Sequence, residues 1–126
     1  MIKLIATDID GTLVKDGSST MPEELKDTIE ALLDRGVLFA AATGRSLISA
    51  QRLFGPLQDR IYFMACNGTQ TGHGRELLFS EDLDPELLGE LIADIRTYPD
   101  VVPFLTGNGF MYSDTDDRKL VDWLRE

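Results

Sequence analysis

Three short stretches of this sequence combine residue types that could do chemistry. The first is Asp8-Ile9-Asp10-Gly11-Thr12-Leu13. Two carboxylates two residues apart can face one point where a strand gives way to a turn. Left alone they repel each other, so a cation is their natural partner. Hard oxygen donors suit Mg²⁺, and Mg²⁺ in turn favours phosphate. Gly11 permits a sharp turn that brings backbone N–H groups toward an anion. The second stretch is Thr43-Gly44-Arg45, where a hydroxyl and the following N–H groups could hold a phosphoryl oxygen. Arg45 could reach a substrate anion or simply cap the surface of the helix that follows. The third stretch is Cys66-Asn67-Gly68.

The elements that must position these residues alternate. Lys3–Thr7 is short, apolar and followed by an acidic turn, which predicts a buried strand. A polar loop over Lys15–Thr20 leads to a helix over Pro22–Arg35, with Leu25, Ile29, Leu32 and Leu33 on one stripe. Thr20 and Glu23 have the spacing of a capping box, Pro22 suits the first turn, and Gly36 is a natural stop. Val37–Ala42 reads as a second buried strand. Ser46 can cap a helix over Leu47–Phe54, stopped by Gly55-Pro56, and Ile61–Ala65 reads as a third strand. This β-α-β-α-β order predicts parallel strands with right-handed crossovers. All three stretches then fall at the C-terminal strand ends, where open α/β sheets bind ligands.

A hairpin is expected next, with Thr69–Thr71 and Leu77–Phe79 around Gly72-His73-Gly74, which leaves His73 at a solvent-facing tip. From about Glu81 a second unit begins. Asp84-Pro85 reads as N-cap and first position of a helix carrying Leu87, Leu88, Leu91, Ile92 and Ile95. Val101–Leu105 and Phe110–Tyr112 then flank a Thr-Gly-Asn-Gly hairpin signal. A last helix is expected over Asp114–Arg125.

Composition excludes several classes. The 126 residues carry 12 basic and 22 acidic side chains, for a net charge of −10. Residues 1–80 hold 10 acidic and 8 basic groups, and residues 81–126 hold 12 and 4, so most of the charge sits in the second stretch. No basic cluster is available for a nucleic-acid backbone, and no apolar run approaches the length that spans a bilayer. The single cysteine excludes an internal disulfide and fits the reducing cytoplasm. With one histidine as well, a zinc site is not expected. Cys66 reads as a small buried apolar residue and Trp123 as packing.

Asp-Ile-Asp-Gly-Thr-Leu near the start, followed by Ala-Thr-Gly-Arg after the second strand, resembles the haloacid dehalogenase superfamily of phosphohydrolases. The Asn-Gly turn and the helix and hairpin after it are similar to the Cof-like subgroup, whose α/β cap is inserted after the third core strand. The resemblance implies a partial Rossmann-like core of three parallel strands with a β-hairpin over 1–80, then the start of an inserted α/β cap over 81–126. It implies a Mg²⁺-dependent phosphatase of small phosphorylated metabolites, such as a sugar phosphate or a phosphorylated cofactor. Asp8 would be the nucleophile that forms an aspartyl-phosphate. Its carboxylate and the Asp10 backbone carbonyl would bind Mg²⁺, and the Asp10 side chain would act as acid and then base. Gly11, Thr12, Thr43, Gly44, Arg45 and Asn67 would surround the phosphate and substrate.

The family's later lysine and later acidic pair have no counterpart in these 126 residues. The expectation is therefore an incomplete metal site and negligible activity from this chain alone. A non-catalytic alternative follows from the same pattern, in which the open edge of the first strand recruits a second copy or another chain. A response-regulator receiver also places acidic residues after its first strand. It needs an aspartate at the end of the third strand, where this chain has Ala65-Cys66-Asn67.

Overall fold

The computed structural model describes residues 2–107, 110–113, 115, 116 and 118, and divides the chain into two compact units, Met1–Asp82 and Leu83–Glu126. The first unit is a five-stranded sheet with two helices. Its elements are β1 (Leu4–Asp8), α1 (Glu23–Asp34), β2 (Leu38–Ala42), α2 (Leu47–Phe54), β3 (Tyr62–Ala65), β4 (Gln70–His73) and β5 (Glu76–Ser80), with 3-10 turns over Gly55–Arg60 and Cys66–Gly68. The strands lie in sequence order. The first three are parallel, with Asp8 opposite Ala42 and Ala42 opposite Met64. The hairpin adds β4 antiparallel to β3, and β5 antiparallel to β4.

The core explains why these segments fold as they do. Ile9, Ile29, Phe54, Ile61 and Phe63 are fully buried. Phe54 meets Phe39 and Phe63 edge to face, at centroid distances of 6.3 and 5.6 Å, a geometry that suits the ring quadrupoles. Ile5, Leu13, Leu25 and Leu33 pack against this cluster. On β1 and β2, by contrast, Leu4 and Leu38 are paired in register and stay about half exposed, at 54% and 51%.

The caps divide. Ser46 accepts the Ser49 N–H and starts α2 as expected. The Thr20–Glu23 capping box does not form. Pro22 is itself the N-cap residue, extended at φ −57° and ψ 139°. Thr20 is held back by Ser18, and Glu23 turns to Lys26 at 2.6 Å. The hairpin turn also shifts. β4 runs on to His73, so the bend falls at Gly74-Arg75, and a register shift at Thr71/Gly72 accommodates the extra length. His73 is therefore a half-buried strand residue stacked on Tyr62 at 4.4 Å, not an exposed tip.

The second unit contains α3 (Pro85–Ile95) and a hairpin of β6 (Leu105–Gly107) and β7 (Phe110–Tyr112). Asp84 caps α3 by accepting the Glu86 and Leu87 N–H groups at 2.9 and 3.1 Å. The strand expected from Val101 starts only at Leu105, because Pro103 has no N–H to give a ladder. The helix expected over Asp114–Arg125 lies almost wholly outside the described residues.

Candidate active site

Strand geometry aims the two aspartates. Residues i and i+2 share a face, and Ile9 between them is drawn fully into the core. Asp8, the last residue of β1, is exposed, and Asp10 is partly so. The chain then turns tightly. The Ile9 carbonyl accepts the N–H groups of Thr12, Leu13 and Val14 at 3.4, 2.9 and 3.0 Å, while Gly11 donates to the Val14 carbonyl at 2.8 Å. Gly11 sits at φ +76°, and a Cβ there would lie 2.9 Å from Asp16 Oδ1. The positive φ calls for glycine, whereas the exposed Asp16 carboxylate could swing aside from a Cβ. The Thr12 hydroxyl reaches back to Asp8 Oδ2 at 3.3 Å.

The β2 and β3 ends are knitted beside this turn. Thr43 is buried, and its N–H donates to the Met64 carbonyl at 2.9 Å. Its hydroxyl accepts the Arg45 N–H at 3.1 Å. The Cys66 N–H bonds to the Arg45 carbonyl at 2.8 Å, and the Asn67 N–H to the Thr43 carbonyl at 3.1 Å. Cys66 and Asn67 both adopt left-handed conformations, φ 50° and 56°. Such conformations persist in non-glycine residues only where surrounding bonds over-determine them. The Asn67 side chain lies so close that a Cβ on Gly44 would be 3.0 Å from its Oδ1. Residues 43–45 and 66–67 thus form one braced rim beside the β1 turn.

The Arg45 side chain turns to Asp10. Its Nε donates to Asp10 Oδ2 at 2.7 Å and its Nη2 to Asp10 Oδ1 at 2.5 Å. Nη2 also donates to the Ser18 carbonyl at 2.7 Å. Gly17 N–H adds a bond to Asp10 Oδ1 at 3.1 Å. The Arg45 hydrogen bonds hold the Asp10 carboxyl below its ordinary 3.8, against an opposing effect of burial, and Asp10 in turn raises Arg45. Gly17 and Ser18 escaped the sequence reading, which saw only a polar loop. Both act through main-chain groups, so no side-chain type announces them.

The donor set fits part of a hard-cation site. The Asp8 carboxylate is exposed beside the Thr12 hydroxyl, and Asp8 and the Asp10 main-chain oxygen are the groups that would hold Mg²⁺. The Asp10 side chain is committed to Arg45 instead. No cluster of three or more acidic, histidine or cysteine groups occurs among the described residues. A cavity of about 690 Å³ opens along Gly11–Val14, Lys15, Asp16, Ser18 and Thr20–Pro22, but it takes no wall from Asp8, Asp10 or Thr43. It follows the turn after the two aspartates.

Comparison with known proteins shows the family. The haloacid dehalogenase-like hydrolase family matches residues 5–123. The chain belongs to this family. It is 29% identical, over 97% of its length, to 44% of the HMP-PP phosphatase of Cronobacter sakazakii. It is 25% identical, over 89% of its length, to 41% of the 5-amino-6-(5-phospho-D-ribitylamino)uracil phosphatase YbjI of Escherichia coli. Its backbone matches a crystal structure from Eubacterium rectale with a TM-score of 0.85 and 31% identity, covering 99% of this chain and 48% of that one. The chain thus spans less than half the length of these haloacid dehalogenase-like relatives. Among the described residues, no helix is long and apolar enough to cross a membrane.

Proposed function

We propose that this chain carries the nucleophile half of a Mg²⁺-dependent phosphatase acting on small phosphomonoesters, a sugar phosphate or a phosphorylated cofactor. The observation that carries the reading is the pair of aspartates at the end of β1, aimed to one side by buried Ile9 and set beside the braced rim of Thr43, Gly44 and Asn67. Two relatives whose names specify phosphorylated metabolites support the substrate class. Asp8, at the strand terminus and exposed, attacks phosphorus in line and takes the phosphoryl group as an aspartyl-phosphate. Asp10 in its protonated form gives its proton to the leaving oxygen, and the carboxylate left behind, the form that Arg45 and Gly17 bond, takes a proton from the water that hydrolyses the intermediate. The Thr12 and Thr43 hydroxyls, the Gly44 main chain and the Asn67 side chain surround the phosphoryl oxygens. Mg²⁺, held by Asp8 and the Asp10 carbonyl, would neutralise phosphate charge. The single cysteine fits a reducing cytoplasm.

The test is phosphate release by the full-length gene product from a panel of phosphomonoesters, with and without Mg²⁺. Asp8→Asn should reduce turnover to background while leaving the fold intact. Release that persists in that variant, or a wild-type protein inactive across the panel, overturns the reading.

One observation favours a second role. β1 is an edge strand, and Ile2, Leu4 and Leu38 beside it are 69%, 54% and 51% exposed. An edge with unpaired backbone groups and apolar neighbours is a template for another strand. As a non-catalytic module, the chain would self-associate through β1 or bind a partner there.

A further inference from the structure

We infer that Arg45 is a positioning residue for Asp10. Its guanidinium sets the direction of the Asp10 carboxylate and ties the loop over residues 15–20 to the end of β2, and it does not receive the substrate's phosphoryl group. This rests on the acid/base role proposed for Asp10 above.

The donor count decides against a phosphate role. Arginine has five N–H donors in a fixed fork. Here Nε and one Nη2 hydrogen span both Asp10 oxygens, and the second Nη2 hydrogen goes to the Ser18 carbonyl. Only Nη1 remains, and one nitrogen cannot offer a phosphoryl group the two-nitrogen fork that makes arginine selective for it. Engaging substrate bidentately would require releasing Asp10 or Ser18.

The anchoring is also built for positioning. The root of Arg45 is fixed from both sides, its N–H on the Thr43 hydroxyl and its carbonyl on the Cys66 N–H. The guanidinium end is mostly buried, with the Arg45 side chain 15% and the Asp10 side chain 31% exposed. Asp10 lies two residues beyond the end of β1. Its other side-chain bond comes from Gly17 at 3.1 Å, on an exposed loop. Without Arg45 the carboxylate would lean only on the Gly17 N–H, in an exposed loop whose own bonds are local, such as Ser18 N–H to the Lys15 carbonyl at 3.0 Å. With Arg45 it is referenced to the segments just after β2 and β3, where Thr43 and Asn67 lie. The Ser18 bond fixes the same loop that walls the cavity beside the site.

The experiment has two arms. In the full-length gene product with Mg²⁺, Arg45→Ala should lower kcat about 100-fold, the scale of a misplaced catalytic group, with KM changed less than threefold. The loss in kcat/KM should be several-fold smaller for p-nitrophenyl phosphate than for an alkyl phosphate, because a good leaving group needs little help from an acid. Arg45→Lys should recover part of the rate. Arg45→Ala in an Asp10→Asn background should cost nothing further, since a residue acting through Asp10 has no effect without it. In the second arm, hydrogen exchange on the 126-residue chain should show Gly17 exchanging faster in Arg45→Ala, with β2 and α2 amides unchanged as evidence of folding. A raised KM, equal losses for both leaving groups, additive losses with Asp10→Asn, or unchanged Gly17 exchange would overturn the inference while leaving the phosphatase reading intact. A wild-type protein inactive on every phosphomonoester would remove both.

Discussion

At the scale of single residues, the chemistry depends on side chains held by neighbours rather than on unusual groups. Asp10 shows this most directly. Its carboxyl lies below its ordinary 3.8 because Arg45 and Gly17 bond the ionised form, with burial opposing. The folded state therefore favours ionised Asp10 over the unfolded state. The stability this contributes is fully present above the unfolded value and is lost as pH falls through the lower folded value. Thermal melts of the 126-residue chain from about pH 5 to pH 2 should lose Tm more steeply in wild type than in Asp10→Asn. Parallel curves would contradict the assignment. Gly44 gives a second prediction. A methyl there would come within 3.0 Å of Asn67 Oδ1, so Gly44→Ala should push the amide aside. Phosphatase activity of the full-length protein should fall, with little change in Tm. A Tm loss matching the activity loss would mean that the contact matters only for folding.

At the scale of elements, the parallel β-α-β-α-β run was legible because its signals are local. Apolar runs of five or six residues gave the strands, and Ser46 and Asp84 marked helix starts that formed as read. Ser46→Ala should cost about 1 kcal/mol, read as a shift in urea midpoint with the slope unchanged. The misreadings share one cause, competition from neighbours that composition does not show. Ser18 captured Thr20, so the capping box was lost. His73 joined β4 because Tyr62 offered a cross-strand stacking partner. The candidate site divides in the same way. Asp8, Asp10, Thr43 and Asn67 were legible as types at strand ends. The partner of Arg45 was not, since a contact spanning 35 residues leaves no trace in local spacing.

At the scale of the whole molecule, the sheet has one strand edge at β1 and the other at β5. Leu77, Leu78 and Phe79 on β5 are each about half exposed, as Leu4 and Leu38 are on the opposite side. Such edges bind other strands unless charge or cover prevents it. The 126-residue chain should sediment as a concentration-dependent dimer or larger species, and Leu4→Lys should shift it toward monomer. A monomer at all concentrations would remove the self-association reading.

The hairpin carries a consequence of parity. β3 delivers the chain to the rim that holds Asp8 and Thr43. β4 carries it away from that rim, and β5 brings it back, with Gln70 opposite Ser80 and the Glu81 N–H fastened to the Thr69 carbonyl at 2.8 Å. An even number of antiparallel strands returns a chain to the end it left. Shortening or lengthening the hairpin would therefore keep the exit at the reactive rim, whereas adding or deleting a single strand would send the chain out at the far end of the sheet.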